Sequence, residues 1–347
     1  MDDEIGPRAV EDERTVTGPL PALTVVVPMF DEEAVLPLFA ERLRPVLDGL
    51  GEPYEVLVVD DGSPRPIAAL APVLGSETKA VRFIRQGYNA GIAHALNRGL
   101  AEARHPFIAR LDADDRWLET KIEKQLALFA GDPSLTIAGT GMTLATPSGE
   151  PIETHVRPGS WTWMLDFLAA GGSPLPHGSV LARRDIYRLL GGYPLDAVYR
   201  YCEDYALWAD WLRFFKPGMV EEVLYRYTVS PSSVSVAHRD EQIRGSILAR
   251  KRFDGLVTAP VPAALGELSE IVGCTLLEAG ILAFKMWRFG PAVRLPASAV
   301  APLRTIMPDR EIRFRDGLEG AREAAAVIAN RSIATPRDSR SIQAASA

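Results

Sequence analysis

The sequence predicts an α/β fold with a largely parallel central sheet covered by helices on both faces. Continuous apolar runs rich in β-branched residues alternate with segments in which apolar residues recur at helical spacing. Strands that are joined through helices run parallel, because each helix returns the chain to the same edge of the sheet. Several of the apolar runs end in carboxylates, and such sheets bind their ligands at the carboxyl ends of the strands.

The first predicted strand is "LTVVVPMF", and a helix follows from about Pro37, a residue suited to a first helical turn. The second strand, "YEVLVVDDGS", ends at Asp60 and Asp61, and a short helical stretch begins at Pro66. The third strand is "AVRFIR". The segment "NAGIAHALNRGLAEAR" predicts the next helix, with Asn89 as its cap.

The fourth predicted strand is "PFIARL", and the helix after it, "RWLETKIEKQLALFA", ends at Gly131 and Pro133. Asp115 precedes this helix and is expected to cap its free N–H groups. A fifth strand is predicted within "SLTIAGTGM". The less regular second half predicts helices in "SWTWMLDFLAA" and "EDYALWADWLRFF", a strand and helix in "HGSVLARRDIYRLLGGY", and a late strand in "MVEEVLYRYTV".

The composition limits the class of protein. Of the 347 residues, 47% are hydrophobic and 24% are charged, as in globular proteins, and the formal net charge of -7 gives no general affinity for nucleic acid. Cys202 and Cys274 offer neither a disulfide framework nor metal-ligand spacing, so we expect a reducing compartment. The acidic N-terminus does not resemble a secretory signal. The segment "IVGCTLLEAGILAFKMWRF" is interrupted by Glu278 and Lys285, which disfavours a membrane span.

Three carboxylates, Asp112, Asp114 and Asp115, follow the fourth predicted strand within four positions. In an extended chain residues i and i+2 point the same way, so Asp112 and Asp114 would share the ligand crevice. Carboxylate oxygens suit Mg²⁺ or Mn²⁺, which complete their shells with phosphate oxygens and waters. Most acidic clusters are surface turns or helix caps, so the residues alone leave a metal site and a solvated turn equally open.

Six segments in order, over roughly residues 22–230, resemble family 2 glycosyltransferases of the GT-A fold. They are "VVVPMFDEE", "VLVVDDGS", "NAGIAHALNRGL", "ARLDADDRW", "GSVLARRDIYRLLGGY" and "EDYALW". The resemblance implies a Rossmann-like three-layer sandwich, a nucleotide-sugar donor, a divalent Mn²⁺ or Mg²⁺, and inversion at the anomeric carbon. The motifs of processive synthases, Q-x-x-R-W and transmembrane helices, are not recognised, which favours transfer of one sugar to a glycan or lipid-linked acceptor.

The resemblance places the donor nucleoside beside the first two strands. Pro28 and Phe30 would line its pocket, and Phe30 replaces the usual tyrosine, so the stacking surface is kept without the hydroxyl. Glu32 would support the pocket. Asp61 would accept a hydrogen bond from the base, as in uracil recognition, with Asp60 in support, which favours a UDP-sugar. The alternative for this pair is an ordinary turn, since "DDGS" forms one whatever the function.

Two further motifs carry donor and metal residues. Asn89 and Gly91 match the family's N-x-G, where glycine lets the backbone approach the nucleotide closely; a simple helix start is the alternative. Asp112 would meet the ribose or the metal. Asp114, by the family's D-x-D pattern, would be the direct metal ligand. The metal would neutralise charge on the departing diphosphate.

The resemblance places acceptor chemistry in the second half. Asp204 matches the general base, with Glu203 beside it, and the alternative is that both acids only stabilise a helix N-terminus. His177 and Arg183 would form part of the acceptor side, or be structural. Arg226 and His238 flank a serine-rich loop that could fold over a bound diphosphate, although an isolated histidine or arginine there is more often a solvated surface residue.

Composition and resemblance together divide the chain into four predicted regions. Residues 1–21 form a flexible acidic leader, and 22–254 a GT-A catalytic domain with a nucleotide-sugar-binding half, 22–141, and an acceptor half, 142–254. Residues 255–330 form a helical C-terminal region, and 331–347 a disordered tail. We expect a cytoplasmic protein. The positive charges between Glu278 and Asp309 allow peripheral contact at the inner face of the membrane, or packing on the catalytic domain.

Two other classes of function are alternatives to sugar transfer. A nucleotide-binding oxidoreductase should show G-x-G-x-x-G after the first strand, and "VVVPMFDEE" has no glycine there. A non-catalytic nucleotide-sugar-binding protein of the same fold is compatible with every donor motif. It differs only in having no need of Asp204.

Overall fold

A computed structural model of the chain describes residues 22–48, 53–68, 81–230, 233–253, 256, 258–289, 295–308 and 328. The predicted leader, 1–21, and the predicted tail, 331–347, lie outside these residues. The same is true of most of the helical stretch predicted after Pro66.

Nine strands in the described residues form one sheet. They are β1 Leu23–Met29, β2 Tyr54–Asp60, β3 Val81–Arg85, β4 Phe107–Arg110, β5 Arg116–Trp117, β6 Ile137–Ala145, β7 Pro151–His155, β8 Leu181–Arg183 and β9 Pro217–Thr228. The strand order is β3-β2-β1-β4-β8-β6-β9-β5, with β7 beside β6. The pairs β2–β3, β1–β2, β1–β4 and β6–β9 are parallel, and the others are antiparallel.

The α-helices in the described residues connect and cover these strands. They are α1 Leu36–Asp48, α2 Ile92–Glu102, α3 Lys121–Gly131, α4 Trp161–Ala169, α5 Arg184–Leu190, α6 Glu203–Phe214, α7 Val234–Ala237, α8 Arg239–Arg250, α9 Val261–Val272, α10 Leu276–Phe289 and α11 Val300–Ile306.

Strand β1 lies at the centre of the parallel part and is buried along its whole length. Because successive side chains of a strand point to opposite faces, its residues divide between two cores. Val26 packs in the core that contains Leu96 of α2. Val25 packs in the core that contains Phe39 and Leu43 of α1. Helices therefore cover both faces, as the continuous apolar strands predict.

Several element boundaries differ from the sequence prediction. Arg116 and Trp117, predicted as the start of a helix, form β5 and pair with β9, so α3 begins only at Lys121. The indole of Trp117 is buried and donates to the carbonyl of Gly178, a tertiary contact that draws this segment into the sheet. The strand β7 was not predicted, because four of its five residues are exposed and it pairs only with β6.

The apolar segment near the C-terminus forms two helices. α9 ends at Gly273, whose φ of 70° lies in the left-handed region, and α10 begins at Leu276. α10 packs on α6 so closely that a Cβ on Gly280 would lie 2.2 Å from the carbonyl oxygen of Phe214. Much of its apolar surface is therefore buried against the protein. Within the described residues, no helix has the length and apolar character needed to cross a membrane.

Candidate active site

The carboxyl ends of β1, β2 and β4 meet at one edge of the sheet, because these neighbouring strands are parallel. Arg110 is the last residue of β4, and Asp112 lies two positions after it. The Arg110 Nη2 lies 2.5 Å from Asp112 Oδ1; the arginine side chain is 4% exposed and that of Asp112 is 25% exposed. A buried guanidinium therefore contacts one carboxylate oxygen of Asp112 at the entrance to the crevice.

The positive charge of Arg110 also acts on the other acids of the crevice. It lowers the pKa of Glu32, Asp114, Glu203 and Asp204, in each case against a larger effect of burial. Its buried Nε has no hydrogen-bond partner among the described residues. Arg110 is not among the site residues that the sequence motifs predict. One sequence feature could have indicated it: the arginine lies within the apolar run "PFIARL". A charged residue in a buried strand is rare unless it is paired, so a partner was to be expected.

Asp112, Asp114 and Glu32 form the acidic part of the crevice. Burial, and then the charge of Asp112, raises the pKa of Asp114 to about 6. Burial, and then the charges of Asp114 and Asp112, raises the pKa of Glu32 to about 8. Mutual repulsion of this kind is relieved when a cation binds. The carboxylates predicted for the metal thus interact electrostatically, and Glu32 lies with them.

The carboxylate oxygens of the crevice fit Mg²⁺ or Mn²⁺ bound together with a phosphate-bearing ligand. In the part of the chain that the structure describes, no group of three or more His, Cys, Asp or Glu side chains is placed to hold a metal. Asp114 and the free oxygen of Asp112 supply two carboxylates. Mg²⁺ characteristically takes one or two protein carboxylates and fills its shell with phosphate oxygens and waters.

Asp115 does not cap α3, contrary to the sequence prediction. Its Oδ1 accepts from the Thr228 N–H at 2.8 Å, and its Oδ2 accepts from the Tyr225 hydroxyl. The helix begins six residues later, with Thr120 at its N-cap position and no side-chain cap bond. Burial, together with the charges of Asp112 and Asp114, raises the pKa of Asp115 well above its usual value. Asp115 thus joins the acidic loop to the end of β9.

Asp60 and Asp61 at the end of β2 have many hydrogen-bond donors within the protein. The Asp60 carboxylate accepts from the N–H groups of Ser63 and Ile67, which forms the turn predicted for "DDGS". The Asp61 Oδ1 accepts from Gln86 Nε2 at 2.5 Å and from the Ala90 N–H. Its Oδ2 accepts from the Gly91 N–H at 2.8 Å. Asp61 therefore fixes the loop before α2, and Oδ2 keeps capacity for one more donor.

The N-x-G motif lies in that same loop. Asn89 does not cap α2, which begins at Ile92 with Gly91 at its N-cap position; instead Asn89 Oδ1 accepts from the Gly91 N–H at 3.1 Å. Gly91 has a φ of 96°, a conformation that L side chains rarely adopt. The loop also packs on the β2 turn, since a Cβ on Gly62 would lie 2.4 Å from the carbonyl carbon of Tyr88.

Pro28 and Phe30 occupy different environments at the end of β1. Pro28 is buried within the strand, where it pairs with Val59 of β2. The Phe30 ring is 42% exposed, which leaves it free to stack against a ligand. The next residue, Asp31, has a φ of 56°, and its N–H donates to Ser63 Oγ at 3.0 Å. The turn after β1 is therefore attached to the turn after β2.

Glu203 and Asp204 form the first turn of α6. Burial, and then the charge of Asp204, raises the pKa of Glu203 to about 7. Burial also raises the pKa of Asp204, which is further raised by Asp112 and lowered by the Tyr205 N–H and by Arg110. Asp204 keeps 24% of its side chain exposed. The charges of Asp112 and Arg110 thus act on Asp204, which places the three residues in one site.

His177 lies beside Asp204, with its Nδ1 4.0 Å from Asp204 Oδ2. Its Nε2 lies 2.8 Å from the hydroxyl of Tyr193. Burial, and then the charge of Arg110, lowers the pKa of His177 well below its usual value, so the ring is neutral near pH 7. The structure thus brings His177 to the site, together with Tyr193, which the sequence analysis did not identify.

Arg183 lies at the opposite end of the sheet. It pairs with Phe107, the first residue of β4, whereas the crevice lies beyond the last. Its guanidinium donates to the carbonyls of Leu135 and Pro133 and covers the rings of Phe107 and Phe129. The prediction of an acceptor-side Arg183 is therefore wrong, because the antiparallel direction of β8 carries it away from the crevice.

Comparison with known proteins gives matches to one family. The sequence model of "Glycosyl transferase family 2" matches residues 24–162. EpsE of Bacillus subtilis, which carries a provisional glycosyltransferase assignment, is 28% identical over 215 residues, 59% of this chain and 72% of the relative. TuaG of the same organism, provisionally assigned as a teichuronic acid biosynthesis glycosyltransferase, is 27% identical over 137 residues, 40% of this chain and 53% of the relative.

Two solved structures share the fold. The first is the mannosyltransferase PcManGT from Pyrobaculum calidifontis in complex with GDP-Man and Mn²⁺, with a TM-score of 0.50, 18% identity, and coverage of 90% of this chain and 87% of that one. The second is S. aureus TarS residues 1–349 in complex with UDP-GlcNAc, with a TM-score of 0.50, 16% identity, and coverage of 76% and 81%. At these identities the likeness concerns the fold alone, and it confirms the predicted fold class.

Arg110→Gln is expected to lower the free energy of unfolding by about 3 kcal/mol or more, because it leaves Asp112 beside a buried neutral group. The control is Arg98→Gln: Arg98 is 53% exposed and pairs with Glu102 at 2.8 Å within one helix, an arrangement worth about 0.5 kcal/mol or less. Urea unfolding of both variants at pH 7 measures the difference. Equal losses in the two variants would show that the Arg110 charge is not needed by the acids around it.

Glu203→Gln is expected to gain stability relative to the wild type as the pH rises from 5 to 8. The folded protein raises the pKa of Glu203 from 4.5 to about 7, so the wild type loses stability as the pH rises through this interval, whereas glutamine does not titrate. The relative gain is about 1–3 kcal/mol, since each pKa unit corresponds to about 1.4 kcal/mol. Thermal or urea unfolding at both pH values checks it, with Glu119→Gln, at an exposed position, as the control. A gain that does not change with pH would contradict it.

Proposed function

The chain belongs to the family 2 glycosyltransferases and has the GT-A fold, and we propose that it transfers one sugar from a nucleotide-diphosphate donor to a hydroxyl group. The proposed acceptor is a glycan or a lipid-linked saccharide, and the setting is synthesis of a surface polysaccharide or glycoconjugate. The proposed sugar is a hexose, and its anomeric configuration is inverted. The name of the relative TuaG, which refers to teichuronic acid biosynthesis, is compatible with this setting.

The observation that carries the proposal is the electrostatic effect of Asp112, on the donor side, on Asp204, on the acceptor side. The charge of Asp112 raises the pKa of Asp204, and Arg110, which pairs with Asp112, lowers it. A transferase needs a cation-binding acid at the departing diphosphate and a separate base at the incoming hydroxyl. Two acids that share one crevice, with one counter-charge between them, are suited to these two roles.

Asp114 and Asp112 would hold the divalent metal, together with donor phosphate oxygens. Bound there, Mn²⁺ or Mg²⁺ supplies Lewis-acid stabilisation of the negative charge on the departing diphosphate. Asp114 is the first choice as direct ligand, since Arg110 already contacts Asp112. Burial, and then the charges of Asp114 and Asp112, raises the pKa of Glu32 to about 8 in the absence of a cation, and in its protonated form Glu32 can donate a hydrogen bond to the sugar donor.

Asp204 would act as the general base. The acceptor oxygen attacks the anomeric carbon, the bond from that carbon to the diphosphate oxygen breaks, and the electron pair leaves with the diphosphate. Asp204 takes the hydroxyl proton, and burial raises its pKa toward the range in which a base works well. The neutral His177, with its Nδ1 4.0 Å from Asp204 Oδ2, adds no positive charge that would weaken the base.

The nucleoside would stack on Phe30 and lie over the loop that Asp61 fixes. One acceptor position on Asp61 Oδ2 is compatible with a base N–H, which favours uracil. The two solved neighbours differ in nucleotide, since PcManGT was solved with GDP-Man and TarS with UDP-GlcNAc. A UDP-sugar is therefore proposed on the strength of Asp61 alone. A non-catalytic nucleotide-sugar-binding protein of the same fold is the second candidate.

A set of UDP- and GDP-sugars is expected to raise the unfolding temperature only when Mn²⁺ or Mg²⁺ is present. Ligand at about 100 times its Kd adds about 2.7 kcal/mol to the stability of the native state. The measurement is thermal unfolding with each nucleotide sugar, with metal and with chelator. Asp114→Asn should lose the metal-dependent part, while Asp185→Asn, at an exposed position, should keep it. Equal stabilisation with chelator would contradict the metal role of Asp114.

Asp204→Asn is expected to bind the donor with unchanged affinity and to lose transfer by about 100-fold or more, because asparagine cannot take the acceptor proton. Donor affinity is measured by calorimetry, and transfer by release of the nucleoside diphosphate in the presence of a candidate acceptor. Asp185→Asn again serves as the control. Turnover like that of the wild type would remove Asp204 as the base and favour the non-catalytic candidate.

A further inference from the structure

A second polar cavity, of about 210 Å³, lies next to the acidic crevice. Three arginines from three different elements line it: Arg42 of α1, Arg116 of β5 and Arg226 of β9. The remaining wall includes Ser148 in the turn between β6 and β7, and Thr228 at the end of β9. The space is several times that of one water molecule, about 30 Å³, so it has room for a hydrated oxyanion.

Two of these arginines are arranged in a way that no contact among the described residues stabilises. Arg116 and Arg226 are directly opposite each other on the antiparallel strands β5 and β9, and both side chains are exposed. Like charges at directly opposed positions destabilise a strand pair. β5 has only two residues, so half of its pairing with β9 carries this repulsion.

In the described part of the chain the charge of Arg42 lowers the pKa of Asp114, but the three arginines form no ion pair. None of the three guanidinium groups lies within ion-pair distance of a described carboxylate. The contact of Arg42 is a hydrogen bond from Nη1 to the main-chain carbonyl of Asp114, at 3.2 Å. Three positive groups that converge on one cavity, with no described carboxylate paired to them, are suited to an anion with more than one charge.

The cavity is distinct from the donor site but connected to it. Neither Asp61 nor Asp112 lines it. The connection is the main chain of Asp114, whose carbonyl oxygen accepts from Arg42 and from Thr228 Oγ1, at 2.7 Å for the latter. An anion in the cavity would therefore lie beside the transfer site, behind the backbone that carries the candidate metal ligand.

We propose that this cavity binds a phosphate group carried by the acceptor. The proposal rests on the proposed transfer function, because it assigns the acceptor's anionic part to a place next to the site of transfer. A phosphate presents several charged oxygens, which two or three guanidinium forks can contact at once. A carboxylate presents only two oxygens and one charge, and would leave part of the cluster unpaired.

The experiment uses glycerol phosphate as the probe and calorimetry without divalent metal as the measurement. The wild type is expected to bind it, and Arg116→Gln with Arg226→Gln is expected to weaken binding by about tenfold or more, equivalent to about 1.4 kcal/mol. The matched control is Arg188→Gln with Arg239→Gln, the same loss of charge at two exposed positions outside the cavity. This control should bind like the wild type.

Two further measurements distinguish an acceptor phosphate from the donor diphosphate and from a carboxylate. Saturating glycerol phosphate should leave the affinity for UDP with Mn²⁺ unchanged, and the Arg116/Arg226 double variant should also bind UDP normally. Competition with UDP, or loss of UDP binding in that variant, would assign the arginines to the donor diphosphate and overturn the proposal. Glucuronate that binds as tightly as glycerol phosphate would overturn the choice of phosphate.

The outcomes separate this proposal from the transfer function. If glycerol phosphate binds equally well to the wild type and the Arg116/Arg226 double variant, the cavity assignment fails, while nucleotide-sugar binding with metal would still support the transfer function. If no nucleotide sugar binds but the arginine-dependent phosphate site is present, the transfer function fails and with it the assignment of the phosphate to an acceptor. Arginine-dependent phosphate binding together with independent UDP binding supports both.

Discussion

The buried contact between Arg110 and Asp112 is the interaction on which the site depends. Five carboxyl groups, those of Glu32, Asp112, Asp114, Glu203 and Asp204, are close enough to Arg110 for its charge to affect them or to be affected by it. A set of buried acids without a cation would repel one another and take up protons. One guanidinium cannot neutralise them all, so burial, and then the remaining repulsion between the acids, raises the pKa values of Glu32, Asp114 and Glu203.

That remaining repulsion gives the crevice its chemical character. An excess of negative charge, held in place by the fold, favours a bound divalent cation without requiring an all-protein cage. The same burial that costs stability raises the pKa of Asp204, which suits a group that must accept a proton. Stability is thus lower where the chemistry needs charge, a common arrangement at functional sites.

Three other acids build the loops around the crevice. Asp60 forms the turn after β2, Asp61 fixes the loop before α2, and Asp115 attaches the acidic loop to β9. Each of these carboxylates accepts two or more hydrogen bonds, so three separate turns are joined to the ends of the strands. These hydrogen bonds hold the loops that surround Asp112 and Asp114.

The sequence by itself determined the succession of the buried strands and most of the helices along the chain, because hydrophobic periodicity is a local property. It also determined the carboxylates at the strand ends and, through resemblance, the family. Only the tertiary structure decided which polar residues meet. Arg110 and Tyr193 joined the site through long-range packing, Arg183 was carried away by the direction of β8, and Asp115 turned to β9 instead of capping a helix. These outcomes depend on contacts between residues far apart in the chain, and a local pattern cannot specify such contacts.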